Sequence, residues 1–339
     1  MNQPAAAASA MQLLLPPAGP PATIPPGDAR LVRLGGATMG TSWSLLAAAP
    51  PAMTQAMLDQ AIQAVLARII QQMSQWQPAS QITAFNTAAA GTFVRIGADF
   101  AHVLQAALML AAATEGAFDP CLGAISEAWG FGVSNVPEIT PPATPSAGEW
   151  RRLRLIQPAG DAAALLQQPG GVRLDLSAIA KGHAVDAVIL ALARIGISNA
   201  LMEIGGELRA IGLRPDGCPW WVDLEVPPAS TAPATRIGLA GWACATSGHY
   251  IRRCSAAGRS WSHTLAPHAG MPVSDALQAA TVLHHSAMLA DGLATALLVL
   301  AARDGTAATM AFADRHHLPA RLVGTDGIRN SAAWEDWAG

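Results

Sequence analysis

The sequence predicts an α+β fold in which antiparallel-rich sheets are flanked by helices. Helical and strand-like segments follow one another without the strict alternation of a β-α-β protein, which favours largely antiparallel pairing. Residues 54–73 carry apolar side chains at helical spacing behind a threonine that is a candidate N-cap. Residues 199–204 and 208–213 flank Gly205-Gly206 and predict two paired strands.

The remaining elements follow from the same periodicities. Residues 31–46 alternate around a Gly-Gly-Ala-Thr-Met-Gly segment and predict a hairpin. Further helices are predicted at 100–114, 178–194 and 287–302, and further strands at 172–176, 220–226, 236–239, 243–251, 277–283 and around Val323 and Ile328. A proline-rich segment at 137–145 predicts a long loop. The Ala/Pro-rich residues 1–28 are expected to be a disordered leader before one domain at 29–335.

Composition excludes several classes of protein. The chain has 339 residues, a net charge of -3 and 13% charged residues, with much of its 51% hydrophobic fraction supplied by alanine. No apolar run approaches the roughly 20 residues that a membrane-spanning helix needs. No run of Lys and Arg is longer than two residues, which is not the footprint of a general nucleic-acid binder. Periodic apolar segments and low charge indicate a packed fold.

The cysteines and the N-terminus bear on the cellular compartment. Four cysteines are spaced too irregularly for a zinc site or a disulfide framework, and we expect buried thiols. One disulfide, for instance between Cys244 and Cys254, stays open for an oxidising compartment. The N-terminus lacks the charged and apolar regions of a signal peptide, so we expect a cytoplasmic protein, or a periplasmic one if this end is trimmed.

The first candidate site joins Asp175, at the end of a predicted strand, to Lys181 at the start of a helix. A helix N-terminus offers free N–H groups and a positive dipole end, and Lys181 adds a point charge, so the segment suits an anionic ligand. The alternative is an aspartate N-cap beside a surface lysine.

The second candidate site is Asp291 and Thr295, which lie four residues apart on one face of an apolar helix. Burying even a neutral polar group without a partner costs about 2–7 kcal/mol. A Mg²⁺ ion would satisfy these oxygens, because it prefers oxygen ligands. A helix face that reaches solvent, or a hydrogen bond from a neighbouring backbone, would satisfy them equally.

His263 is the third candidate. It precedes a loop and is accompanied by the Thr246-Ser247-Gly248 and Gly270-Met271-Pro272 segments. Most of the nine histidines are expected to be structural. No P-loop and no strand–GxGxxG–helix unit is found in the sequence.

Taken in order, the motifs resemble those of the FAD:protein FMN transferase family, also called the ApbE flavin transferases. The resemblance covers roughly residues 31–330. It is carried by Met39-Gly-Thr-Ser, Met73-Ser-Gln-Trp76 with Ser80-Gln-Ile and Phe85-Asn86, Glu115-Gly-Ala-Phe-Asp-Pro120, Trp129-Gly-Phe-Gly132, Asp175 with Ala180-Lys-Gly182, Glu203-Ile-Gly-Gly-Glu207, Ala245-Thr-Ser-Gly-His-Tyr250, Ser262-His263 and Ala290-Asp-Gly-Leu-Ala-Thr295.

The resemblance implies a fold of two similar halves and a Mg²⁺-dependent reaction in which FAD is a substrate. FMN passes to a threonine hydroxyl of a target flavoprotein, and AMP is released. The residues implied to contact FAD are Met39, Trp76, Ala117, Phe118, Asp119, Asp175, Lys181 and Leu265. The metal ligands implied are the Ala178 carbonyl, Asp291 and Thr295, and His263 is our candidate for the general base.

Two positions depart from the family pattern. Ala266 stands where an aspartate is usual, and Ser177-Ala178 replaces a pair of glycines, although a backbone carbonyl ligand survives that change. The alternatives are an FAD pyrophosphatase that yields FMN and AMP, and a non-catalytic flavin-binding protein. A binding protein has no need of a metal pair and a base, so these residues favour an enzyme.

Overall fold

The computed structural model describes residues 11–17, 22–134, 148–157, 163–228, 230, 232–250, 252–256 and 258–337. The predicted α+β class is confirmed, and the proline-rich loop at 137–145 lies outside the described residues. The helices are α1 (Gln55–Met73), α2 (Gln81–Thr87), α3 (Ala98–Ala113), α4 (Gly123–Ala128), α5 (Ala180–Arg194), α6 (Ala287–Asp304), α7 (Thr306–Arg315) and α8 (Ala332–Glu335).

The strands form one large antiparallel sheet and four small ones. They are β1 (Gln12–Leu14), β2 (Arg30–Thr38), β3 (Thr41–Ala49), β4 (Phe93–Ile96), β5 (Arg154–Ile156), β6 (Ala164–Gln167), β7 (Ala200–Ile204), β8 (Glu207–Ile211), β9 (Trp220–Asp223), β10 (Thr235–Leu239), β11 (Ala243–Gly248), β12 (Arg253–Ala256), β13 (Arg259–Ser262), β14 (Leu265–Ala266), β15 (Met271–Pro272), β16 (Leu277–His284), β17 (Ala320–Gly324) and β18 (Gly327–Asn330). The large sheet has eight strands in the order β18-β17-β16-β11-β8-β7-β3-β2.

Local chemistry explains most of these boundaries. The side chains of Thr54 and Ser286 accept hydrogen bonds from the first turns of α1 and α6, which satisfies backbone donors there. The β2–β3 turn places Met39 and Gly40 at φ values of 49° and 75°. Positive φ at both central residues suits the two-residue turns that join twisted antiparallel strands. The predicted hairpin at 31–46 is therefore confirmed.

The other predicted helices and the strand pair at 199–213 are confirmed with small shifts at their ends. The core lies between the large sheet and helices α1, α3, α5 and α6. At Gly182 a Cβ atom would lie 2.2 Å from the Ala287 carbonyl oxygen, so only glycine lets α5 approach α6 this closely. This contact determines where the first turns of the two helices meet.

The prediction of a disordered leader over residues 1–28 is wrong for the part that is described. Strand β1 pairs in parallel with β10, and the Leu14 side chain is fully buried against a second core cluster that contains Trp220, Trp334 and Trp337. The Leu15 N–H donates to the Trp337 carbonyl. The folded unit thus extends beyond the predicted limits of 29 and 335 at both ends.

The predicted strand at 172–176 is also wrong, although its side chains alternate between buried and half-buried positions as predicted. Its backbone bonds to loops and a side chain. Leu174 exchanges two hydrogen bonds with the Asn86 amide, and the Asp175 N–H donates to the Pro120 carbonyl. All four cysteines are free thiols, so the disulfide left open above does not form. None of the described helices is long and apolar enough to cross a membrane.

Candidate functional site

The candidate site is built where the first turn of α5 meets the first two turns of α6. Asp291 is only 2% exposed, and its Oδ2 accepts a hydrogen bond of 3.0 Å from the Gly182 N–H. A free N–H of the first helical turn therefore satisfies one oxygen of the buried carboxylate. Two alternatives to a metal ion were a helix face that reaches solvent and a hydrogen bond from a neighbouring backbone. The structure contains the backbone hydrogen bond, and the close packing at Gly182 makes it possible.

Lys181 lies between two buried carboxylates. Its Nζ is 3.0 Å from Glu207 Oε1 and 3.7 Å from Asp291 Oδ1. The expected alternative of a surface lysine beside an aspartate N-cap is wrong, because Ile179 is the N-cap of α5. Asp175 instead accepts a hydrogen bond from the Ser177 N–H. We call Lys181, Glu207 and Asp291 the lysine cluster.

The lysine cluster holds two acidic groups and one basic group. Burial opposes the charge of Lys181, but the carboxylates of Asp291 and Glu207 outweigh it and raise the pKa of the lysine. Burial raises the pKa of Asp291, and it raises the pKa of Glu207 to about 8 against the opposing charge of Lys181. A further cation beside these two acidic groups would favour their ionised forms.

The oxygen atoms around Asp291 suit a hard cation. Thr295 lies one turn further along α6, and its Oγ1 is 2.9 Å from Ser247 Oγ on β11. Ala178 lies in the turn before α5, and no described backbone N–H donates to its carbonyl. No group of three His, Cys, Asp or Glu side chains among the described residues could hold a metal. Asp291 offers a carboxylate, Thr295 a hydroxyl and Ala178 a carbonyl, and these are donor types that Mg²⁺ prefers.

His263 follows β13 and is half-buried. Its Nδ1 is 3.2 Å from the Arg252 carbonyl, which favours the tautomer that carries hydrogen on Nδ1 and leaves Nε2 as the acceptor. Burial lowers the pKa of His263 to about 4, with smaller contributions from the positive charges of Arg252 and Lys181. The imidazole is therefore neutral near pH 7, and it lies within electrostatic reach of the lysine cluster.

Aromatic side chains surround His263. The Phe131 ring lies 6.2 Å from the imidazole, centroid to centroid. The Arg252 guanidinium lies 5.8 Å from the rings of both Phe131 and Trp76. The Trp76 side chain is 42% exposed, so its ring is accessible to a ligand. Arg252 thus connects Trp76 to His263.

Among the other predicted site residues, Ala117, Phe118 and Leu265 are buried. A Cβ atom built on Gly292 would lie 3.6 Å from Phe118, so Phe118 packs on α6 at the residue that follows Asp291. Strand β14, which carries Leu265 and Ala266, also packs on α6. Both residues are buried. Ala266 has no side chain with which to accept a hydrogen bond where the family usually has aspartate.

Asp119 and Asp175 form a separate part of the site. The Asp119 Oδ1 accepts from the Cys121 N–H, its Oδ2 has no hydrogen-bond partner among the described residues, and burial raises its pKa to about 6. Asp175 adjoins it through the backbone bond to Pro120. Met39 lies at the β2–β3 turn, and among the described contacts neither it nor Asp119 touches the lysine cluster.

Two residues in the site were missed by the sequence analysis as carriers of a role. Glu207 was recognised only as part of a motif, and Arg252 not at all. Only a weak signal for them is present in the sequence, because the contact that suggests a role is with a residue on another element. Glu207 contacts Lys181, and Arg252 lies over the Trp76 ring.

A lysine between two buried acidic groups, beside a neutral histidine and under a helix-covered antiparallel sheet, is typical of a protein that binds a phosphate-bearing ligand. The sequence profile described as the ApbE family matches residues 39–321. The chain belongs to the ApbE family.

Curated relatives and solved structures agree with this assignment. The chain is 33% identical to an FAD:protein FMN transferase of Vibrio cholerae over 313 residues, which cover 90% of this chain and 91% of the relative. The apo form of the Pseudomonas stutzeri flavinyl transferase ApbE superposes with a TM-score of 0.81 at 31% identity, covering 92% of this chain and 98% of that chain. The ApbE protein of Thermotoga maritima gives a TM-score of 0.80 at 25% identity, over 91% of this chain and 100% of that chain.

Proposed function

We propose that the protein transfers FMN from FAD to a threonine hydroxyl of a target flavoprotein in a Mg²⁺-dependent reaction that releases AMP. The Vibrio cholerae relative named above is an FAD:protein FMN transferase. The observation that carries the proposal is the junction of α5 and α6, where Lys181 and the oxygens of Asp291 lie within electrostatic reach of a neutral histidine.

Asp291, Thr295 and the Ala178 carbonyl are the residues that would hold Mg²⁺. When bound, the cation would neutralise charge on the FAD pyrophosphate and on the AMP leaving group. Lys181 would add a second positive charge at the phosphates. Its side chain is 28% exposed, so the residue is within reach of a ligand at this surface.

His263 would act as the general base. Its Nε2 accepts the proton of the threonine hydroxyl while that oxygen forms a bond to the phosphorus on the FMN side. The bond between this phosphorus and the bridging oxygen breaks, and the electron pair leaves with AMP. With its pKa lowered to about 4, the imidazole is unprotonated at neutral pH, which leaves Nε2 open to a proton.

The remaining residues would bind the two ends of FAD. Trp76 offers an exposed ring for stacking on a flavin or an adenine, and the neighbouring Arg252 keeps that ring in place. Met39, Ala117, Phe118, Asp119, Asp175 and Leu265 complete the proposed FAD contacts. Asp119 is suited to hydrogen bonding, since its Oδ2 is without a partner among the described residues.

The test is AMP release from FAD with and without Mg²⁺ in the presence of a threonine peptide library. A library in which valine replaces every threonine is the matched control. We expect Mg²⁺-dependent AMP together with a peptide mass gain of one FMN that only the threonine library shows. AMP with no labelled peptide would assign FAD hydrolysis, and FAD binding without AMP would assign a flavin-binding protein.

A further inference from the structure

Glu207 has no role in the function proposed above, yet it is one of the most thoroughly buried carboxylates of the molecule. It begins β8, directly after the turn at Gly205-Gly206, and is 4% exposed. Its Oε1 lies 3.0 Å from Lys181 Nζ, and its Oε2 has no hydrogen-bond partner among the described residues. A buried carboxylate with an unpartnered oxygen is costly, so its presence beside Lys181 calls for a reason.

The distances show which carboxylate holds the lysine. The ammonium lies 3.0 Å from Glu207 and 3.7 Å from Asp291, so its shorter contact is with Glu207. Asp291 is meanwhile fixed from the other side, because its Oδ2 accepts from the Gly182 N–H. The Asp291 oxygen that faces Lys181 is Oδ1, the one without this backbone bond.

The contacts of the ammonium explain what Glu207 changes. Without Glu207, Asp291 would be the remaining acidic partner of Lys181 among the described residues, and a cation would have to displace the ammonium from it. With Glu207 present, the ammonium keeps a partner of its own at 3.0 Å. Asp291 Oδ1 is then available to a cation, and opposite charges attract strongly in a buried site.

We propose that Glu207 is a positioning residue, which holds the Lys181 ammonium away from Asp291 and so leaves Asp291 Oδ1 free for a divalent cation. This inference rests on the proposed function, because that function supplies the cation. It assigns Glu207 a part in cation binding in addition to satisfying a buried lysine.

The experiment measures Mn²⁺ binding to the FAD-free protein by calorimetry. The variants are Glu207→Gln, Lys181→Met and the double variant, with Glu203→Gln as the matched control. Glu203 lies on the adjacent strand β7, where its carboxylate bonds to Gly206 and Ser44 and not to Lys181. Thermal unfolding of each variant checks that it is folded.

We expect Glu207→Gln to weaken Mn²⁺ binding about tenfold or more, because Lys181 turns to Asp291 and neutralises it. Glu203→Gln should bind Mn²⁺ like the wild type. The double variant should return to within about threefold of the wild type, since the competing ammonium is gone and Asp291 is again an unpaired charge. Unchanged binding in Glu207→Gln, or a double variant as weak as that single one, would overturn the proposal.

A second variant distinguishes the position of the Glu207 carboxylate from its charge. It also tests the proposal if Glu207→Gln does not fold. Glu207→Asp keeps the negative charge but withdraws it from Lys181 Nζ. Positioning predicts binding of Mn²⁺ that is several-fold weaker, whereas a role of charge alone predicts no change and would contradict the proposal. The variants can bind Mn²⁺ as expected while FMN transfer and AMP release are both absent. In that case the proposed reaction is wrong, and the role of Glu207 in cation binding stands.

Discussion

Helix α5 contributes to two charge clusters of different composition. In the lysine cluster one ammonium faces two carboxylates. Two residues further along the helix, His183 Nε2 lies 2.9 Å from Asp99 Oδ1, and Arg68 Nε lies 2.6 Å from Asp99 Oδ2. Gln72 donates a further hydrogen bond to the same carboxylate. We call this second group the aspartate cluster.

The pKa values of the carboxyl groups differ between the two clusters. In the aspartate cluster the hydrogen bond from His183, followed by that from Arg68, outweighs burial and holds the pKa of Asp99 well below its usual range. In the lysine cluster burial prevails and raises the pKa of both carboxylates. The aspartate cluster places three donor side chains on one carboxylate, whereas the lysine cluster places two acidic groups beside one ammonium. Burial alone therefore does not mark a functional site, and the charge balance distinguishes the two.

The sharpest test of this difference is to remove the central carboxylate of each cluster. Asp291→Asn should lower AMP release from FAD at least about a hundredfold, because the cation loses its charged ligand. Asp99→Asn should keep the activity within a few-fold of the wild type. Rates measured at saturating Mg²⁺ check both expectations. Equal losses in the two variants would mean that the charge balance does not identify the site.

His263 and His183 extend the comparison to one histidine beside each cluster. His263→Ala should lower FMN transfer about 10²–10⁴-fold, the usual contribution of a general base. His183→Ala removes a partner of Asp99 and should affect stability more than transfer. In the wild type the rate should fall as pH drops toward the His263 pKa of about 4, where the base becomes protonated. A rate that rises with acidification would contradict the role of His263 as base.

A smaller effect is expected on the stability of the aspartate cluster. Asp99→Asn should lower the free energy of unfolding by about 1–3 kcal/mol, since hydrogen bonds to a charged group are lost. Urea titrations of the variant and the wild type measure this difference.

The pH dependence of that stability has a definite sign. The pKa of Asp99 is lower in the folded than in the unfolded chain, so its stabilisation is full above the unfolded value of about 4 and is lost as pH falls below it. Repeating the titrations across acidic pH should therefore show the wild type approaching the Asp99→Asn variant. A difference that does not change with pH would contradict the role of the carboxylate charge.

Local patterns in the sequence predicted the fold well. Thr54 and Ser286 cap their helices, and periodic apolar residues follow each of them, so α1 and α6 could be recognised without tertiary information. Residues 172–176 show the limit of this approach. Their alternation reports burial, but only the fold supplies Asn86 and Pro120 in place of a neighbouring strand.

The errors elsewhere arise from partners that are distant in the chain. Strand β1 is three residues long in an Ala/Pro-rich segment. It is ordered because it pairs with β10 and because the next residue donates a hydrogen bond to the Trp337 carbonyl. Similarly, Lys181 and Asp291 were identified separately by chemistry, and the family resemblance joined them. Glu207 could not be given a role, because only the packing of β8 against α5 brings it to Lys181.

The most direct test of the account is a crystal structure of the protein grown with FAD and Mn²⁺, with anomalous data collected at the manganese edge. We predict one strong anomalous peak within coordination distance of Asp291 Oδ1, Thr295 Oγ1 and the Ala178 carbonyl, beside the FAD pyrophosphate. Lys181 should remain on Glu207. A manganese peak elsewhere in the molecule, with FAD bound and Asp291 still paired to Lys181, would contradict the account.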